Sequence, residues 1–146
     1  MPTETRGYVT DVTYTRNVFP ELGPAWLDFV AILAGFAPPA RQGGFSWCEL
    51  GCGQGVTTVM MAAMHPRGRF VGVDVLPAHV DHGRRLAEAA KIENAVFHAT
   101  DFATTDLEPP CFDYIVAHGV YSWLDAAGDG HQRRDRVVEQ FDLRMS

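Results

Sequence analysis

The first 22 residues carry no helical or strand period: Tyr8, Tyr14 and Phe19 sit among threonines, and Pro20 closes the stretch. Gly23-Pro24 then opens a helical pattern, with proline where its missing N–H costs nothing. Trp26, Leu27, Phe29, Val30 and Leu33 give that predicted helix an apolar side wide enough to pack on a core. Pro38-Pro39 and Gly43-Gly44 end it in a turn-rich connector.

From Phe45 onward the pattern alternates. Phe45 to Leu50 is a short apolar run stopping at glycines, which predicts a buried strand, and Val56 to His65 predicts a helix ended by Pro66 and Gly68. Arg69 to Val73 predicts a second strand ended by Asp74. Pro77 starts a helix running to about Lys91, with Val80, Leu86, Ala87 and Ala90 on its inner side. Ala95 to His98 is a third strand and Phe112 to Ala117 a fourth. Strands separated by helices of this length imply right-handed crossovers, hence an α/β fold with a parallel sheet and helices on its faces. Beyond Trp123 the pattern degrades into a loop at 126–130 and a charged, weakly amphipathic helix from His131 to Arg144.

A chain of 146 residues suits one domain. The expected division is a cover segment and helix over 1–44, a core over 45–124 and a charged tail over 125–146. Its 47% hydrophobic and 21% charged residues are ordinary for a globular protein and exclude whole-chain disorder. The net charge of −6 argues against nucleic acid as a partner, because phosphate affinity rests on clustered cations. The start has no basic segment leading into an apolar run, and the most apolar stretch, 29–37, is about half a membrane span, so no membrane partner is expected. Three cysteines, Cys48, Cys52 and Cys111, without a CxxC pair, suit a reduced chain, read as cytoplasmic.

The candidate chemistry lies at Trp47-Cys48-Glu49-Leu50-Gly51-Cys52-Gly53-Gln54-Gly55, a strand-to-helix junction. Glycines at alternate positions let the backbone turn tightly and approach a ligand, and the following helix offers its first amides. A plain linking turn is the competing reading. A dinucleotide fingerprint needs G-x-G-x-x-G, but its third glycine position is Val56 here, so the glycine arrives one residue early and a nicotinamide cofactor is disfavoured. Asp74 ends the second strand, where a carboxylate can bind both hydroxyls of a ribose, or alternatively cap a turn. Asp101 follows the third strand in the same way, with Phe102 beside it, and turn capping and core packing are their alternatives. Glu49, Asp74 and Asp101 would thus share the rim where open α/β sheets bind ligands.

Glu49-Leu-Gly-Cys-Gly-Gln-Gly55, Phe70-Val-Gly-Val-Asp74, Asp101-Phe102 and Phe112-Asp-Tyr-Ile-Val-Ala-His-Gly119, in this order and spacing, resemble class I S-adenosylmethionine-dependent methyltransferases. His118-Gly-Val-Tyr-Ser-Trp123 further resembles a bacterial subgroup whose longer members carry a methyltransferase regulatory domain and include protein lysine methyltransferases. The resemblance implies a Rossmann-like seven-stranded sheet, of which this chain supplies candidates for four, in the order 3-2-1-4, as in a C-terminally truncated member. Strand four would then lie at an edge to be covered either by the tail from Gly128 or by a second copy in a homo-oligomer. It also implies S-adenosyl-L-methionine as cofactor. The turn of Gly51, Cys52, Gly53, Gln54 and Gly55 would lie against its methionine and ribose portions, and Glu49 would hold the ammonium. Asp74 would bind the ribose hydroxyls, Val75 would flank the adenine, and Asp101 would accept from the adenine amino group beside Phe102. His118 and Gly119 would sit near the sulfonium.

Methyl transfer needs an in-line nucleophile and electrostatic help rather than a nucleophilic triad, and no G-x-S-x-G is present. Tyr121 and Trp123 are candidates to wall an acceptor pocket, with core packing as the alternative, and His118 is a candidate base. Tyr8 and Tyr14 are candidates for an N-terminal cover. His79-x-x-His82 puts two imidazoles on one helical face, but without a third ligand it reads as a solvated face, and no metal is expected. The leading expectation is a methyltransferase acting on a protein side chain or small molecule. A non-enzymatic S-adenosylmethionine-binding module or inactive fragment, and then a nicotinamide oxidoreductase, are the alternatives.

Overall fold

The computed structural model describes residues 16–101 and 112–119. A 3-10 turn (Pro20–Leu22) leads into α1 (Pro24–Leu33), β1 (Phe45–Leu50), α2 (Val56–Met64), β2 (Gly68–Asp74), α3 (Pro77–Ala89), β3 (Ala95–Ala99) and β4 (Tyr114–Ala117). The strands form one sheet in the order β3-β2-β1-β4, every pair parallel. This is the α/β architecture and strand order expected from the sequence, and β4 is an edge among the described strands.

Element ends differ from expectation for local reasons. β4 starts at Tyr114 rather than Phe112 because Asp113 turns its carboxylate to Ser46, accepting from the Ser46 N–H at 2.7 Å and from its hydroxyl at 2.9 Å. These side-chain bonds take the place of ladder bonds at that point. α3 stops at Ala89 because Lys91 adopts a left-handed φ of 55°. The Ile92 N–H then donates to the Ala87 carbonyl and the Lys91 N–H to that of Glu88, closing the helix end with the paired bonds of a Schellman motif. Ala90, expected on the inner side, is consequently exposed, and Gly83 joins Val80 and Ala87 in the buried stripe.

One face of the sheet carries Trp47 of β1, Phe70 of β2 and Phe97 of β3, on which α2 and α3 pack through Met61, Ala62, Val59, Val80 and Ala87. The Trp47 and Phe70 rings lie 5.4 Å apart and have no exposed surface, and the Trp47 Nε1–H donates to the Leu22 carbonyl at 3.0 Å. Phe97 lies in a socket made by glycines. A Cβ on Gly72 would come within 2.7 Å of its ring, and one on Gly83 within 2.8 Å. Such contacts are far inside van der Waals distance, so α3 reaches the sheet only with glycine there.

α1 packs the opposite way to the expectation. Of the expected stripe Trp26, Phe29, Val30 and Leu33 are exposed and only Leu27 packs against the core, partly buried, while the residues the helix buries are Pro24 and Asp28. Asp28 accepts from the Tyr114 hydroxyl and pairs with Arg41 Nη2, both at 2.6 Å, so a polar anchor rather than an apolar stripe sets the helix's orientation.

Candidate functional site

Parallel pairing brings the carboxyl ends of β1, β2, β3 and β4 to one rim. There the chain leaves β1 through Gly51, Gly53 and Gly55, whose φ values of 69°, 53° and 74° lie in the left-handed region that a Cβ disfavours. The turn is pinned to the end of β2. The Cys52 N–H donates to the Val73 carbonyl at 2.9 Å, and the Gly53 N–H donates to Asp74 Oδ2 at 2.8 Å. The other oxygen, Asp74 Oδ1, accepts from the Leu76 N–H at 2.9 Å. Beyond β3, the Thr100 N–H donates to the Asp74 carbonyl at 2.9 Å, which brings the next residue, Asp101, beside the end of β2.

Glu49 lies inside β1 and is only 3% exposed. The hydroxyl of Thr58, itself fully buried on α2, donates to Glu49 Oε2 at 2.5 Å. Burial pushes the Glu49 carboxyl up to about 7 against the pull of the Thr58 hydrogen bonds, and the Asp74 carboxylate adds to the rise. The flanking Cys48 thiol is pushed up to about 12 by burial, and burial also raises that of Cys52. Both cysteines are therefore inert small side chains at neutral pH.

Glu49, Gly51, Cys52 and Gln54 line one concave pocket together with His118, the residue following β4. The His118 ring stacks on Phe19 with centroids 3.7 Å apart, and its Nε2 lies 3.9 Å from Glu21 Oε1. The approach to α1 thus crosses the start of α2. The Phe19 N–H donates to Thr57 Oγ1 at 3.2 Å, and Arg16 Nε donates to Gln54 Oε1 at 2.9 Å. Asn17, Phe19, Val56 and Thr57 complete the pocket wall.

Six of the residues singled out from sequence therefore meet around one loop: Glu49, Gly51, Cys52, Gly53, Gln54 and Asp74. Val75 follows Asp74, and Gly119 follows His118 with a φ of 69°. Gly55 has a packing duty, since a Cβ there would lie 2.5 Å from the Phe97 ring and 2.9 Å from the Gly83 Cα. Phe102, Tyr121, Trp123, Tyr8 and Tyr14 lie outside the described residues.

The reading of His79 and His82 as a solvated face is corrected. His79 Nδ1 lies 3.3 Å from Asp74 Oδ1, and His82 Nδ1 lies 2.8 Å from the Gln54 carbonyl oxygen. Both rings turn inward because Val80 and Gly83, their neighbours on α3, pack on the sheet. Among the described residues, no three His, Cys, Asp or Glu side chains gather in a group suited to a metal. Sequence reasoning also missed Thr58 and Phe19 as site residues. Thr57-Thr58 inside an otherwise apolar helix, VTTVMMAAM, was the signal available for the first, and nothing local marks the second.

A parallel sheet in this order, with a glycine turn and carboxylates at its rim, is the Rossmann-like fold of class I S-adenosylmethionine-dependent methyltransferases. The chain belongs to the methyltransferase domain family, whose model matches residues 42–139. It is 38% identical over 121 residues to the uncharacterized protein sll1526 of Synechocystis sp., covering 81% of this chain and 24% of that one. It is 32% identical over 88 residues to a trans-aconitate 2-methyltransferase of Methylobacterium nodulans, covering 60% of this chain and 30% of that protein. The structure of PKMT2 from Rickettsia typhi in complex with AdoHcy aligns with a TM-score of 0.79 at 29% identity, covering 90% of this chain and 24% of that one. The chain thus spans roughly a quarter of the length of these proteins.

Proposed function

We propose that this chain binds S-adenosyl-L-methionine and transfers its methyl group to a protein side chain or a small molecule. The observation that carries the reading is Glu49. A carboxylate this deeply buried is held near neutrality by its surroundings, and among the described residues its influences are burial, Thr58 and Asp74, none of them cationic. A ligand bearing an ammonium group and a positive sulfur supplies the missing counter-charge, which favours the ionised carboxylate. The donor set fits such a cofactor. The AdoHcy held by PKMT2 supports the same reading.

When bound, the cofactor supplies an electrophilic methyl group on a sulfonium. In this reading the chain's own residues position it. Glu49 holds the ammonium, and the backbone of Gly51, Cys52, Gly53, Gln54 and Gly55 follows the methionine and ribose portions. Asp74 accepts from a ribose hydroxyl, Val75 flanks the adenine, and Asp101 with Phe102 meets its amino group. His118 and Gly119 lie nearest the transferring methyl, with Tyr121 and Trp123 as the acceptor wall. The Phe19–His118 stack forms one side of the pocket.

No helix among the described residues is long and apolar enough to cross a membrane, and the buried free thiols of Cys48 and Cys52 suit a reducing, cytoplasmic setting. The β4 edge is where a second copy would pair.

The reading is tested by incubating the chain with methyl-labelled S-adenosylmethionine and separated protein and small-molecule fractions of a bacterial extract. Label in either fraction, lost with Asp74→Ala, is the expected result. Binding of the cofactor without transfer to any fraction would make the chain a non-enzymatic S-adenosylmethionine-binding module instead.

A further inference from the structure

The first turns of α3 send two imidazoles back toward the glycine turn. The His79 ring, whose side chain is 15% exposed, approaches Asp74 Oδ1, and His82 approaches the Gln54 carbonyl oxygen. Both partners offer oxygen acceptors at these atoms, a carboxylate and a backbone carbonyl, so each contact is a hydrogen bond when the histidine carries a hydrogen on Nδ1. The two contacts nevertheless differ in kind. His82 ties α3 to the backbone of the turn, whereas His79 touches only the side chain of Asp74 in these two contacts.

Asp74 is held from three directions. Its Oδ2 accepts from the Gly53 N–H, and its Oδ1 accepts from the Leu76 N–H and faces His79 Nδ1. The two backbone donors fix one point on each oxygen. The third, from the His79 ring on the element that carries the buried Val80, adds a side-chain donor on Oδ1 to these two backbone donors. Two carboxylate oxygens accept about four hydrogen bonds, so with these three made one position, on Oδ2, is left for a ligand hydroxyl.

We propose that His79 is a positioning residue: its Nδ1–H sets the Asp74 carboxylate for the ribose 2′-hydroxyl, so that it acts on recognition of that hydroxyl alone. This rests on the cofactor assignment above. A second layer that orients a ligand-binding carboxylate follows the same logic as the hydrogen-bond partners that orient metal ligands. Placing that donor on α3 couples the seating of the helix to sugar recognition.

The test compares binding of S-adenosylhomocysteine and its 2′-deoxy analogue to the full chain by calorimetry. A hydrogen bond from a hydroxyl to a carboxylate predicts that the wild type prefers the ribose form by about ten- to a hundredfold. His79→Ala lowers affinity for the ribose form by about tenfold and leaves the deoxy form within about twofold, so the preference collapses. His79→Asn, which returns an N–H near the Nδ1 position, restores it. His82→Ala, whose contact is with backbone, keeps the preference whatever it does to affinity. An unchanged preference in a folded His79→Ala chain overturns the proposal. So does a nitrogen-15 spectrum of the wild-type chain at pH 8 showing His79 in the Nε2–H tautomer, a readout that needs no variant to fold. Failure of the folded wild type to bind either compound instead refutes the cofactor assignment, and the role of His79 with it.

Discussion

At the scale of single residues, Glu49 has the strongest effect on the molecule's behaviour. Its carboxyl, pushed up to about 7 by burial, stays protonated in the folded chain where the unfolded chain, near 4.5, has already lost the proton. The folded state therefore binds more protons between these values, and stability falls as pH rises through that window. The contribution is present below about pH 4.5 and lost above about 7, with a size of the order of 3 kcal/mol at about 1.4 kcal/mol per unit. Urea unfolding from pH 5 to pH 8 should show this decline in the wild type and a flatter profile in Glu49→Gln. Equal slopes in the two would mean that Glu49 is already ionised in the folded chain. The same ionisation governs the ligand: a cationic cofactor beside Glu49 binds more tightly at pH 8 than at pH 6, and Glu49→Gln removes that difference.

At the scale of elements, α1 shows how periodicity can name a helix and misplace its face. Trp26, Phe29, Val30 and Leu33 follow the i, i+3, i+4, i+7 spacing of a core stripe. The helix is instead held by Asp28, which accepts from Tyr114, a residue 86 positions away on β4, and pairs with Arg41. Burial and the Asp28 carboxylate keep the Tyr114 hydroxyl protonated far above neutral pH, so it remains a donor. A buried polar contact between such distant residues leaves no local pattern, and the lone aspartate in PAWLDFVAIL was its only trace. Tyr114→Phe should cost about 1–3 kcal/mol by leaving a buried carboxylate oxygen without its donor. Leu33→Ser, at a side chain 71% exposed, should change stability by less than about 0.5 kcal/mol. Urea unfolding of both variants checks the ranking, and the reverse order would restore the apolar stripe as the packing face.

At the scale of the whole molecule, parallel pairing was legible because strand and helix patterns alternate regularly from Phe45 onward, whereas the strand order followed only from the resemblance to the methyltransferases. The rim was legible too, since Glu49 lies one residue before the end of β1, Asp74 ends β2 and Asp101 follows β3, and parallel strands send such residues the same way. What was not legible is the shell behind those residues. Thr58 reaches Glu49 from across the turn, His79 and His82 are aimed by the burial of their neighbours, and Phe19 meets His118 only because the chain doubles back over α2. Gly55 and Gly83 show the same division of labour. The spacing of Gly55 reads as part of a ligand turn, and nothing in the sequence marks Gly83, while the fold uses both to seat Phe97.

The central claim is that this rim takes S-adenosylmethionine, and a calorimetric titration of the 146-residue chain tests it most directly. The account predicts binding near the micromolar range, loss of at least tenfold in Asp74→Ala, where a charge-assisted hydrogen bond is removed, and no binding of NAD. A folded chain that ignores S-adenosylmethionine, or that binds NAD in its place, would contradict it.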